Sequence, residues 1–379
     1  MPWAPRLWHG MTASAWMKLL RDNRFAIAPS RIPLALGVST ASLVNSSLAA
    51  AQSMFWKRRI EATELREDPI FVVGHWRSGT TLLHELLSAD PRHAYPDTYA
   101  CLAPSHFLIS QYLVPWWLGL LMPRHRPMDN VQIGWKQPQE DEWALCLLGL
   151  PSVYRTVAFP QRLPHCSHSL ALHGSLPEET SRWNQTFVDF LKSLLVGRDE
   201  LRLVLKSPTH TARIGHLWNL FPKARFVHVV RDPLSIFPST MRLWTRLAAD
   251  HGLQLPDERK LERYVLDTFV QMYEAFETQR RQIPPGQIRD VHYEQLIADP
   301  AGQVRGLYEQ LDLGDFDIAR PCIDQKLKAS SGYRANRYEV TDELRQRIED
   351  RWGDYYRRYG YSTGARTEAS HPSIQRRAG

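Results

Sequence analysis

From Asp68 onward, short apolar runs alternate with stretches whose apolar residues recur at helical spacing. The run Ile70 to Val73 leads into a helical pattern from Thr80 to Ala89, and Leu201 to Leu205 leads into Thr211 to Leu220. Ala224 to Val230 leads into a helix beginning near Leu234, and Gln287 to Val291 leads, after Asp299-Pro300, into Gly302 to Leu311. Strands each followed by a covering helix predict an α/β fold, a parallel sheet with helices on both faces. Ligands of such sheets sit at the carboxyl ends of the strands, so residues 74–81, 206–210, 231–239 and 292–294 are the ones to read for chemistry. About 110 mostly helical residues separate the first two units and read as an inserted substrate-binding region. The pattern divides the chain into an N-terminal apolar, helical extension (1–66), a main domain (67–361) and a tail (362–379) that lacks apolar periodicity and is expected to be disordered.

Two apolar stretches fall outside this alternation. Ile32 to Trp56 is 25 residues without a charge, flanked by Arg31 and by Lys57-Arg58-Arg59. It is long enough to cross a bilayer, but its Ser, Thr, Asn and Gln content favours a helix packed on the domain or lying in a membrane interface. His106 to Pro123 carries Trp116-Trp117 and reads either as a core or lid segment or as an apolar substrate entrance.

Composition narrows the classes. With 379 residues, 43% of them hydrophobic, the chain can bury a large core. A net charge of +7 suits an anionic partner, and no Lys/Arg tract interleaved with aromatics points to nucleic acid. Cys101, Cys146, Cys166 and Cys322 are scattered and form no C-x-x-C pair, so a reducing compartment is expected: the cytoplasm, free or at the inner face of the membrane. Fifteen histidines make no ligand spacing, and no metal is expected. Oligomeric state has no signature here.

The loop after the first strand, GHWRSGTT, satisfies the Walker pattern at Gly74, Gly79 and Thr81, with Thr80 where the lysine belongs. Small residues at Ser78, Gly79 and Thr80 let backbone N–H groups converge on an anion at the positive end of a helix, and Arg77 adds a planar cation. This is a P-loop-like element without the lysine that contacts β- and γ-phosphates, and no strand ends in a magnesium-holding acid: Val230 is followed by Arg231-Asp232. In VVRDPLSIFPS, Arg231 caps a strand and Ser239 lies eight residues on, two helical turns into the next element.

These stretches together (GHWRSGTTLL, LKSP and VVRDPLSIFPS) resemble the sulfotransferases that use 3′-phosphoadenosine-5′-phosphosulfate (PAPS), in particular the bacterial arginine-loop branch of menaquinone-type enzymes. The resemblance covers about residues 68–361. It implies that Arg77, Ser78, Gly79, Thr80 and Thr81 hold the 5′-phosphosulfate and that Arg231 and Ser239 hold the 3′-phosphate. Tyr293 would lie near the nucleotide, with Tyr333 and Arg334 of SGYRANRY standing in for an absent glycine-rich C-terminal loop. A sulfated monophosphate has no γ-phosphate, which accounts for the missing lysine.

The resemblance also implies a reaction: transfer of a sulfuryl group from PAPS to an acceptor hydroxyl, releasing adenosine 3′,5′-bisphosphate. Lys206, ending LRLVLK, matches a lysine near the bridging oxygen and is assigned to the leaving oxygen. Three groups compete as the base, in the order Glu142, Asp97 and His210. Glu142 belongs to the run Glu140-Asp141-Glu142 opening an apolar helix, Asp97 lies about twenty residues past the loop where arginine-loop relatives keep a glutamate, and His210 follows Lys206 by four. The tryptophans, the apolar N-terminal stretch and the basic balance favour a lipophilic alcohol as acceptor and a peripheral membrane contact. Two other readings are an ATP-dependent P-loop kinase of small molecules and a non-catalytic, membrane-associated nucleotide-binding protein.

Overall fold

The computed structural model of the chain describes residues 6–112, 134–162, 170–172, 176–329 and 340–362. The Trp116-Trp117 segment, Tyr333, Arg334 and the tail from 363 lie outside the described residues.

Five strands form one wholly parallel sheet in the order β2-β3-β1-β4-β5, with β1 Ile70–Val73, β2 His93–Ala94, β3 Arg202–Lys206, β4 Arg225–Val230 and β5 Ile288–His292. Four are the strands read from the apolar runs; the two-residue edge strand β2 is an addition within the inserted region. Alternation along the central strands sends side chains to two separate cores. Phe71, Val73, Leu203, Leu205, Phe226 and Val230 enter one, while Ile70, Val72, Val204, Val227 and Val229 enter the other. Both faces are therefore dry, which is why these runs are continuously apolar.

Helices among the described residues include α1 Ala13–Asp22, α2 Ile32–Ala62, α3 Thr80–Leu87, α4 Asp141–Leu147, α5 Pro177–Leu195, α6 Pro233–His251, α7 Glu258–Gln279, α8 Tyr293–Ala298, α9 Pro300–Leu311, α10 Phe316–Ala329 and α11 Asp342–Tyr359. The smaller core is roofed by α3, α9 and α10 through Leu83, Leu86, Leu87, Val304, Leu307 and Ile323. The larger takes Phe187 and Leu191 of α5, Trp244 of α6, Phe269 and Phe276 of α7, and Trp352 of α11, whose indole stacks on Phe269 with ring centroids 3.7 Å apart. Ile214–Leu220 opens with a tight 3-10 turn at Pro208–Arg213 in place of the α-helix expected from Thr211.

The N-terminal helices share the larger core. Leu7, Trp8, Met11, Trp16, Leu19, Ala35 and Val38 are buried in it, and the Trp8 indole donates to the His251 carbonyl at 2.6 Å. α2 is long and apolar enough to cross a bilayer, yet its inward side is bonded to the domain through polar side chains. Trp16 donates to Ser39 Oγ at 2.9 Å, Asn45 donates to the His9 and Met11 carbonyls, and Gln52 Oε1 accepts from Leu108 N at 2.8 Å. A span would abandon all of these contacts.

Candidate active site

β1 sits at the point where the chain turns from one half of the sheet to the other, and its carboxyl end opens into a tight loop. Gly74 has φ 143° and Gly79 has φ 104°, both in the left-handed region that favours glycine. A Cβ on Gly74 would stand 2.6 Å from the Val229 carbonyl, and one on Gly79 would stand 2.2 Å from Cδ2 of Tyr293. Thr211 Oγ1 fixes the loop entrance by accepting from Gly74 N at 2.7 Å. Gly79 N-caps α3, so the first-turn N–H groups of that helix, Thr80 and Thr81 among them, have no intrahelical partners. Ser78 is fully buried, and its Oγ has no partner. A buried hydroxyl without a partner is costly unless a ligand satisfies it. An anion in the loop would satisfy these groups.

The second group of residues read from the sequence reaches the same place. Arg77, at φ 69° within the loop, donates from Nε to Ser239 Oγ of α6 at 2.8 Å. Arg231, just past β4, donates from Nη1 to the Arg77 carbonyl at 2.9 Å and lies over the Tyr293 ring at 4.1 Å. Tyr293, buried at the start of α8, thus packs between Gly79 and Arg231. The loop after β1 and the arginine–serine couple after β4 form one continuous wall carrying two guanidinium groups, the hydroxyls of Ser78 and Ser239 and a helix amino end.

Beside the loop, Lys206 ends β3 with its side chain 4% exposed and pairs through Nζ with Glu140 Oε1 at 2.7 Å. Glu140 precedes α4. Its second oxygen accepts from the Tyr154 hydroxyl in a short hydrogen bond and from Trp143 Nε1 at 3.2 Å. The Trp76 indole, from the loop itself, donates to the Tyr154 oxygen at 2.9 Å. Burial and the neighbouring Glu140 charge push the Tyr154 phenol well above its ordinary range, so it stays a proton donor to the carboxylate. A lysine and a carboxylate held by a tyrosine and a tryptophan thus stand at the strand end next to an anion loop. Among the described residues no group of His, Cys, Asp and Glu could hold a metal.

A sulfotransferase family model matches residues 69–317, the stretch that carries all of these side chains except the N-terminal helices. The chain belongs to the sulfotransferase family. It is 43% identical over 359 residues to the omega-hydroxy-beta-dihydromenaquinone-9 sulfotransferase Stf3 of Mycobacterium bovis, covering 95% of this chain and 92% of the relative, and equally to that of Mycobacterium tuberculosis. Two solved structures share its fold: sulfotransferase STF1 of M. tuberculosis (TM-score 0.63, 21% identity, 90% of this chain and 91% of the other) and STF9 of Mycobacterium avium (TM-score 0.66, 18% identity, 94% and 98%).

The residues read from this sulfotransferase's sequence fall into two groups. Arg77, Ser78, Gly79, Thr80, Thr81, Arg231, Ser239, Tyr293 and Lys206 lie around the ends of β1, β3 and β4. The three candidate bases are each engaged by other partners. Glu142 is fully buried, bonded through both oxygens to Arg213 at 2.7 and 3.3 Å and to Thr209 at 3.0 Å. His210 is fully buried, with Nε2 2.6 Å from Asp141 Oδ2. Burial opposes the charge of Asp141, but the His210 ring and the Ser207 hydroxyl outweigh it and hold that carboxyl below its usual range. Asp97 caps the short helix Thr98–Leu102 by accepting from Ala100 N at 2.8 Å, and burial lifts its carboxyl above the ordinary value. The acid beside Lys206 is Glu140. Sequence reading passed over it within its own acidic run, and Tyr154 and Trp76 carried no sequence signal at all.

Proposed function

We propose that this sulfotransferase moves a sulfuryl group from PAPS to the hydroxyl of a lipophilic alcohol and releases adenosine 3′,5′-bisphosphate. The observation that carries the donor assignment is the meeting of two anion sites in one wall, joined by the Arg77–Ser239 bond of 2.8 Å. A donor with a phosphosulfate at one end and a ribose 3′-phosphate at the other needs two such sites, and the partnerless Ser78 hydroxyl supports an anion in the first.

PAPS supplies a sulfuryl group on an activated phosphate oxygen. Ser78, Thr80 and Thr81 would bind the 5′ end with Arg77, while Arg231 and Ser239 would bind the 3′-phosphate and Tyr293 would pack against the nucleotide. Lys206 then stabilises negative charge on the leaving oxygen, and Glu140 accepts the acceptor's hydroxyl proton as that oxygen attacks sulfur. The 2.7 Å pairing holds both groups ready, and Tyr154 and Trp143 keep the carboxylate oriented. Glu142, His210 and Asp97 serve the scaffold in this assignment.

The lipophilic acceptor is supported by the 43% identity to an enzyme named for a hydroxylated menaquinone. We place the protein in the cytoplasm, working on an acceptor held by a membrane; its cysteines are scattered and form no C-x-x-C pair, which suits a reducing compartment. The test is incubation with labelled PAPS and two extracts, one of polar lipids and one of sugars. Label entering the lipid fraction supports the reading; label entering only the sugars rejects the acceptor class.

A further inference from the structure

α2 is built inside out. Beside Ala35 and Val38, its buried positions are Ser42, Asn45 and Gln52: Ser42 donates to the Ser39 carbonyl of the helix itself, while Asn45 and Gln52 are spent on hydrogen bonds to His9 and Leu108. Its solvent side carries the large apolar residues: Leu36 (64% exposed), Leu43 (64%), Met54 (80%) and Phe55 (68%), with Ile32 and Val44. Leu36 and Leu43 are two turns apart and Leu36 and Met54 five turns, so they form one line along the helix, on which Thr40 and Ser47 are the exposed polar residues. No charge interrupts the 25 residues from Ile32 to Trp56, a length of about 37 Å. A soluble surface seldom leaves so long an apolar line in water without a partner.

The ends identify that partner. Arg31 bounds the line on one side and Lys57, Arg58 and Arg59 on the other, with the Arg59 guanidinium 5.2 Å from the Trp56 ring. A second copy of this helix would bring like charges together in either direction, parallel or antiparallel. An anionic lipid surface takes the apolar line into its interface and the flanking cations among its headgroups, with the tryptophan at the boundary. We propose that the outward face of α2 docks the protein flat on an anionic membrane, without crossing it, and so holds the active site beside its lipid-borne acceptor. The proposal rests on the lipophilic-acceptor reading above, but its readout requires no turnover.

The experiment uses the full chain and vesicles of phosphatidylcholine, with and without phosphatidylglycerol, in a flotation assay. Binding to the anionic vesicles is expected, weakening as salt is raised and lost to alkaline carbonate. The triple variant L36E/L43E/M54E should bind at least about tenfold more weakly, and K57Q/R58Q/R59Q likewise. Both variants should keep their melting temperature and their affinity for adenosine 3′,5′-bisphosphate, because every altered residue is exposed. Three results would overturn the proposal: no binding of the parent chain, undiminished binding of either variant, or a parent dimer that L36E/L43E/M54E converts to monomer. Binding that resists carbonate would also overturn it, by making α2 a span. If vesicle docking holds while no lipid is sulfated, the acceptor reading fails and the surface stands.

Discussion

Arg77 Nε donates to Ser239 Oγ at 2.8 Å across 162 positions of sequence. The bond ties the loop after β1 to α6, the helix after β4. Arg231 reinforces the tie by donating to the Arg77 carbonyl at 2.9 Å. Because each of these residues is also assigned to a phosphate, the two ends of the nucleotide site are mechanically linked.

The Arg231 assignment predicts a selective loss. Arg231→Ala removes a charge-assisted contact worth about 1.5–3 kcal/mol, so affinity for adenosine 3′,5′-bisphosphate should fall roughly ten- to a hundredfold. Affinity for the 5′-monophosphate should change by a factor of a few. Calorimetric titration of both ligands checks this, and equal weakening would remove Arg231 from the 3′ site.

Gly79 offers a steric test. An added methyl meets the Tyr293 ring at 2.2 Å in a backbone at φ 104°. Gly79→Ala should cost on the order of 1–3 kcal/mol of stability and weaken the bisphosphate, since both the loop and the ring must shift. Thermal melts and titration report the two effects separately.

The acidic run separates function from scaffold within three residues. Glu140→Gln keeps the shape and hydrogen-bonding capacity of the side chain while removing its basicity. Turnover should drop about 10²–10⁴-fold with bisphosphate affinity preserved. Glu142→Gln removes the carboxylate charge beside the fully buried Arg213 and should destabilise the fold by about 3–5 kcal/mol. Steady-state kinetics and denaturant titration of both variants decide the assignment; an active Glu140→Gln enzyme contradicts it.

Why that choice was illegible in sequence follows from helix geometry. Consecutive residues at a helix start point about 100° apart, so Glu140, Asp141 and Glu142 face three directions, and only the packing of α4 against β3 and the Pro208–Arg213 turn selects among them. The loop after β1 was legible because glycines at 74 and 79 and the apolar strand before them have few other meanings. The edge strand His93–Ala94 was not, since two residues carry no alternation. The inverted polarity of α2 shows only once Trp16 of α1, the Met11 carbonyl and Leu108 claim its Ser39, Asn45 and Gln52.

Acid should destabilise the protein well above the carboxylate range. Burial lowers the pKa of His75 to about 3; burial, followed by the Lys206 charge, does the same for His84; and burial lowers His106 and His251 to about 4. Their folded values lie below the unfolded value of 6.5, so the unfolded chain binds more protons below that pH. Stability is thus full above about pH 6.5 and declines as pH falls toward 3–4, by up to about 1.4 kcal/mol per unit for each ring. Denaturant midpoints at pH 7.5 and 5.5 should differ clearly, the lower pH being the weaker.

The most direct measurement is a calorimetric titration of the purified chain with adenosine 3′,5′-bisphosphate, in buffer with and without EDTA. One-to-one binding that EDTA leaves unchanged, and that is tighter than binding of either the 5′-monophosphate or magnesium-ATP, is the predicted result. Metal-dependent binding, or a preference for magnesium-ATP, would contradict a single wall gripping both ends of one bisphosphorylated nucleoside.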